Sequence, residues 1–224
     1  MIKLFSRNAV EFGGDGSITI PDRSSVRVGN TFMIVIQFKP KSVSEQTILK
    51  KDGEYIMKID SSGRLAFGVY DGTDYEPMVV GEEIEVDSWH KVIVCVEVVG
   101  GLIQKTMYVN SIENKYVENT QTGEISETAN NLIIGEGFVG AIDRFMMYSR
   151  VFDESRIADI LNDEFIPYDM TTFFSIEEGS GNITYDVVSS GYAGTITNGV
   201  WVMGRDMENV YKSKNKVALV RKYM

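Results

Sequence analysis

Histidine and cysteine are almost missing from this 224-residue chain, which has one of each, His90 and Cys95. A single cysteine excludes an internal disulfide. Cys95 lies in the apolar run Val92-Ile93-Val94-Cys95-Val96, where a free thiol behaves as a small buried hydrophobe. A single histidine excludes ordinary zinc sites, which need several nitrogen or sulfur ligands. It also forces any Ser-His or Cys-His scheme through His90, and no nucleophile near it has the required setting, so His90 reads as structural. No apolar run approaches the roughly 18 residues that cross a bilayer, so no membrane partner is expected. Met1-Ile2-Lys3-Leu4-Phe5-Ser6-Arg7 lacks the long apolar core of a secretory signal, which points to a chain not exported that way or already processed.

Acids are absent after Glu208, while Lys212, Lys214, Lys216, Arg221 and Lys222 supply five positive charges there. With a net charge of −10, the remainder stands near −15. Phosphate contacts need clustered Lys and Arg, so nucleic acid is an expected partner only through the basic tail. The tail reads either as a disordered basic arm or as a final strand with charged edges.

What is present is a succession of short β-rich runs. Ser17 to Ile20, Phe32 to Phe38, Tyr55 to Ile59, Arg64 to Tyr70, Lys91 to Val98, Ile103 to Val109, Asn131 to Ile134 and Gly140 to Tyr148 are predicted strands. Lys51-Asp52-Gly53, Asp60 to Gly63, Asp71-Gly72 and Gly100-Gly101 punctuate them as turns. One helix is predicted over 153–165, capped by Asp153, with Ile157, Ile160, Leu161 and Phe165 on one face. The expectation is an all-β, antiparallel jelly-roll β-sandwich with one short helix.

Ala9-Val10-Glu11-Phe12-Gly13-Gly14-Asp15-Gly16, Trp89-His90-Lys91-Val92, Tyr108-Val109-Asn110 and Gly140-Ala141-Ile142-Asp143 occur in this order. Their order and spacing resemble the laminin G-like branch of the concanavalin A-like lectin and glucanase jelly rolls. The resemblance implies that Trp89 anchors the core between the sheets and that Asp143 fixes backbone near the final strand. It also implies that most such domains recognise rather than catalyse. Ser111 stands where the family's Tyr-Val-Asn-Gly turn has glycine, a departure that argues against a positive-φ turn at that position.

The late stretch Phe173 to Gly181, with Asp186, Gly194-Thr195-Ile196 and Trp201, resembles a segment that in this family precedes the Ala-Val-Glu-Phe-like strand. It is too short to bury a core alone. The expected organisation is one sandwich over 1–204, with 171–204 completing it, and a basic tail or terminal strand over 205–224. Exchange of the 171–224 segment with a neighbouring subunit is the competing expectation.

Three chemistries have candidate residues. Glu83, Glu85 and Asp87 would share a strand face if extended, a pattern open to retaining glycoside hydrolysis, but a wet turn is expected there and no catalytic residues are assigned. Asp71, Asp74 and Glu76 form an acidic loop open to calcium, the one cofactor considered, since calcium takes oxygen ligands from loops. Tyr55, Tyr70, Asp71, Asp74, Tyr75 and Phe138 are the candidate ligand-binding residues, as aromatics for stacking and acids for hydroxyls in or beside predicted turns.

The expected function is a non-enzymatic recognition or structural domain whose partner is a glycan or a protein surface. A virion structural or attachment protein, made in the host cytoplasm, unites the fold, the missing signal, the permuted segment and the basic tail. A carbohydrate-binding module or lectin of a microbial surface, working outside the cell, is the alternative, and a glycoside hydrolase the third reading.

Overall fold

A computed structural model describes residues 3–189 and 191–209. Fourteen strands and one helix follow in order: β1 (Asn8–Ile20), β2 (Thr31–Pro40), β3 (Gln46–Lys51), β4 (Tyr55–Ile59), β5 (Arg64–Val69), β6 (Val79–Glu83), β7 (His90–Val99), β8 (Leu102–Val109), β9 (Ser111–Thr122), β10 (Leu132–Ile134), β11 (Val139–Tyr148), α1 (Glu154–Leu161), β12 (Met170–Phe174), β13 (Ile183–Tyr185) and β14 (Ala193–Met203). Every pairing among them is antiparallel.

The strands make two layers joined along one edge. The first runs β1-β11-β2-β7-β8-β9 and the second β6-β5-β4-β3-β10-β1. β1 belongs to both, pairing with β11 through Val10–Gly13 and with β10 through Ile18–Ile20. Between these halves the register shifts, and Gly16 lies where a Cβ would sit 2.6 Å from the Phe12 ring and 2.7 Å from the Thr197 and Asn198 carbonyls. Only glycine lets the strand turn this corner.

Between the layers lies the main core, with Phe12, Phe38 and Phe145 from the first and Leu49, Tyr55 and Phe67 from the second. A second apolar cluster lies on the outer face of the first layer. There Met33, Val35, Ile93, Cys95, Met146 and Tyr148 are covered by Ile157 and Ile160 of α1, together with Ile166, Met170 and Phe173. Strands buried on both faces read as continuous apolar runs, which accounts for Phe32 to Phe38. Burial pushes the Cys95 thiol up to about 12.

Within this single chain the late segment pairs with the body. β14 pairs with β1 from Asn8 to Thr19 and follows it around the corner, β13 pairs with β14, and β12 pairs with β11. Arg23 locks this segment: it pairs with Asp186 at 3.2 Å and lies 4.2 Å from the centre of the Tyr192 ring.

Several expectations are corrected. The helix ends at Leu161 rather than 165, because Asp163 takes a left-handed φ of 66°. Its Asp153 cap accepts the Arg156 N–H at 3.0 Å, as expected. Trp89 does not anchor the core. It lies half-buried in the turn before β7, where its indole N–H donates to Glu208 at 2.9 Å and Lys39 lies over its ring. The positive-φ position of the 108–111 turn is Asn110, at 63°, so Ser111 needs no glycine geometry. Beyond the expected boundary at 204, Arg205 to Glu208 form a helical turn docked on the body. The tail's basic residues from Lys212 onward lie outside the described residues.

Candidate functional site

The two outer faces of the sandwich differ, and this difference locates the site. The first layer's outer face is closed over β2, β7 and β11, and an ion network lies beside that covered part. The Asp143 carboxylate accepts from the Ser6 hydroxyl, Gln37 Nε2 (2.8 Å), Arg144 Nε (3.1 Å) and the Arg205 backbone N–H (3.2 Å). Asp163 accepts from Lys91 Nζ, Arg205 (2.5 Å) and Arg144 (3.4 Å). Burial lowers the Lys91 ammonium to about 8 despite Asp163 beside it. The network ties the chain's start, its middle strands and the Arg205 turn together, which is a structural task.

The second layer's outer face is open. Directly opposed residues on neighbouring strands point to the same side of a sheet. The registers Ile183↔Thr195, Thr195↔Thr19, Thr19↔Ile133, Ile133↔Lys50, Lys50↔Ile56 and Ile56↔Gly68 therefore form one outward row across seven strands. Within it Thr19, Ile133, Lys50 and Ile56 are half-buried, while Ile183 and Thr195 are exposed. Lys50 pairs with Glu136 at 2.9 Å.

At one end of the row the segment between β5 and β6 folds over the sheet. Gly68 permits this, because a Cβ there would meet the Tyr75 carbonyl at 2.5 Å. The Tyr75 hydroxyl accepts the Gly53 N–H at 2.7 Å and donates to Asp52 at 3.4 Å, pinning the ring against the β3–β4 hairpin. The Tyr70 ring lies 5.2 Å from it, and both are half-exposed. Beneath the rim, buried Lys51 pairs with Glu54 at 2.6 Å and donates to the carbonyls of Thr128 (2.9 Å) and Asn130 (2.8 Å), holding the neighbouring loop in place.

Of the ligand candidates, Tyr70, Asp71, Asp74 and Tyr75 gather on this rim. Tyr55 and Phe138 do not, and this is a correction. Both are wholly buried, Tyr55 donating to the Val26 carbonyl and Phe138 packing edge-on against Phe38. The alternation of β4 turns Tyr55 into the core, and Phe138, in the turn before β11, packs inward as well.

The acids proposed for calcium are occupied by their own loop. Asp71 accepts the N–H groups of Thr73 (2.9 Å) and Asp74 (3.2 Å), Asp74 that of Glu76 (2.9 Å), and Glu76 that of Met78 (2.9 Å). Those bonds hold the Asp71 carboxyl below its usual range. Among the described residues no group of three or more His, Cys, Asp or Glu side chains is gathered to hold a metal ion.

At the opposite end of the sandwich, Glu82, Glu83, Glu85, His90, Asn110, Asn114 and Tyr116 line a cleft of about 200 Å³. β6 ends at Glu83 and Asp87 takes a φ of 56°, so Glu83, Glu85 and Asp87 do not share one extended face. Both nitrogens of the His90 ring are engaged, Nδ1 by the Asn110 amide at 3.2 Å and Nε2 by the Glu85 carbonyl at 2.8 Å. Burial lowers the His90 pKa, which suits a neutral ring that donates from Nε2.

Sequence reasoning missed Thr19, Lys50, Ile56, Ile133 and Thr195. Each is the outward residue of an alternating strand, and alternation was the available signal, but only the register joins them.

The family model described as the concanavalin A-like lectin/glucanases superfamily (Laminin_G_3) matches residues 12–158. No curated protein matches the sequence. Among solved structures the fold is similar to a candidate carbohydrate-binding protein from Bacteroides ovatus, with a TM-score of 0.69 and 14% identity over 89% of this chain; the chain spans 60% of that protein. It is also similar to a heptameric pentraxin from Limulus polyphemus (TM-score 0.57, 15% identity, 89% of this chain and 95% of that one). A third similar structure is the carbohydrate-binding module CBM40 of a Ruminococcus gnavus sialidase, bound to α2,3-sialyllactose (TM-score 0.51, 14% identity, 71% of this chain and 100% of that one).

Proposed function

Because the chain belongs to the Laminin_G_3 family of the concanavalin A-like lectin/glucanases superfamily, we propose that it is a non-catalytic glycan-binding domain. Its binding site is the open face of the second layer together with the Tyr70–Tyr75 rim. The observation that carries this reading is the outward row from Thr195 to Ile56, walled at one end by a tyrosine pinned through its hydroxyl.

Sugar rings present apolar C–H faces and hydroxyl edges. Half-exposed Ile56 and Ile133 with the tyrosine rings offer apolar contact, while Thr19, Thr195, Lys50 and Asp52 offer donors and acceptors at fixed spacing. A site whose groups are already held loses little entropy on binding. The likenesses to carbohydrate-binding structures support glycan recognition, and they give the virion role no support.

A glycan array tests the reading, followed by Tyr75→Ala on the best hit. The substitution removes the wall and is expected to weaken binding about tenfold or more, the loss typical of an aromatic anchor. Unchanged affinity in Tyr75→Ala would move the site elsewhere.

A further inference from the structure

Resting on that reading, we infer that the open face selects an extended, uncharged glycan laid across the strands, and that Glu136, by pairing with Lys50, joins the rim acids in excluding anionic sugars. The argument begins with cations. Lys50, Lys58 and Arg64 project from the outer side of β3, β4 and β5, and each is matched by a carboxylate: Lys50 by Glu136 (2.9 Å), Lys58 by Glu45 (3.3 Å) and Arg64 by Asp60 (3.0 Å).

The rim adds Asp52, Asp71, Asp74 and Glu76. Among the described residues none of these makes a salt bridge: Asp71, Asp74 and Glu76 accept backbone N–H groups, Asp71 also bonds Gln121, and Asp52 accepts from the Tyr75 hydroxyl, while Lys50 and the buried Lys105 act on them only at longer range. Among the described residues of this face, a sialic or uronic acid would therefore meet surplus negative charge and no cation without a carboxylate partner. Like charges brought together at an interface are disfavoured, whereas carboxylates accept hydrogen bonds from sugar hydroxyls without that cost. The α2,3-sialyllactose held by the similar R. gnavus module is thus not the ligand class expected here.

The row also sets the length. From Ile183 on β13 to Ile56 on β4 there are five inter-strand steps, about 24 Å at the usual strand spacing. Apolar and polar residues alternate from Ile56 through Lys50 and Ile133 to Thr19, and Thr195 and Ile183 extend the row, which suits successive rings of a chain better than one terminal sugar.

Calorimetry with neutral linear oligosaccharides of increasing length, α- and β-linked, against sialyllactose and oligogalacturonides, tests both parts. Affinity for the preferred neutral series is expected to rise about tenfold or more from the monosaccharide to the length that spans the row, then level off. Glu136→Gln leaves half-buried Lys50 without its carboxylate partner, and is expected to raise the ratio of anionic to neutral affinity about two- to fivefold, the range of one surface charge pair. Anionic sugars binding the parent protein as well as neutral ones, or no length dependence, would overturn the inference and leave the glycan reading intact. No response to Glu136→Gln would remove that residue's role. Absence of binding to every glycan would sink both.

Discussion

The two outer faces of this sandwich are built from neighbouring strands of one continuous sheet and meet opposite fates. On the first layer β2, β7 and β11 are apolar on both sides, so the outer side must be covered, and α1 and the 166–173 segment cover it. On the second layer β3, β4 and β10 alternate, with apolar residues inward and mixed residues outward, and that side stays open. A closed face is held by buried charge pairs and tolerates little change, whereas an open face is free to vary and to bind. What separates scaffold from candidate site is therefore the pattern of burial within individual strands.

The largest contrast is expected from Asp143→Ala. Its carboxylate is wholly buried among Ser6, Gln37, Arg144 and Arg205, and its loss leaves buried donors and charge unmatched. Denaturant titration is expected to show a loss of about 3–5 kcal/mol. A loss under about 1 kcal/mol would mean that the closed face does not depend on its network.

A smaller effect is expected in acid. Burial works to raise Asp163, but Lys91 and Arg205 outweigh it, so its carboxyl titrates below the ordinary 3.8. A depressed folded-state pKa contributes stability that is fully present above the unfolded value and is lost as pH falls through the folded one. Stability should therefore fall below about pH 3.8 more steeply in the parent than in Asp163→Asn. Parallel acid limbs for the two proteins would locate the acid weakness elsewhere.

The smallest stability effect belongs to the open face. Ile133→Ala removes a half-exposed side chain with little core contact and is expected to change stability by less than about 1 kcal/mol, while weakening glycan affinity measurably. A large destabilisation with unchanged binding would reverse the roles assigned to the two faces.

Much of the architecture was legible because it rests on short-range rules. Asp153 announces the start of α1, Ile157 and Ile160 its buried face, and the glycine-rich turns most strand ends. Strand β9 was not legible: its exposed run Glu113-Asn114-Lys115 carries no apolar alternation, and it is held by pairing with β8. Trp89 misled because the family resemblance implied a core anchor, whereas its position in a turn hands its indole to Glu208. Within the candidate site, Tyr70 and Tyr75 stood out as aromatics in one acidic loop. Lys50 and Ile133 did not, being separated by more than eighty positions and joined only by the β3–β10 register.

The chain's own order of residues was enough to determine an antiparallel sandwich, a short capped helix and a late segment that must pack on something larger, because alternation, capping and turn chemistry act over a few residues. Only the tertiary structure decided that β14 runs beside β1, that one face is sealed by buried charges, and that Thr195, Thr19, Ile133, Lys50 and Ile56 stand in line. Those outcomes depend on which distant strands become neighbours and in what register, and hydrogen-bonded pairing sets that across the whole sheet at once.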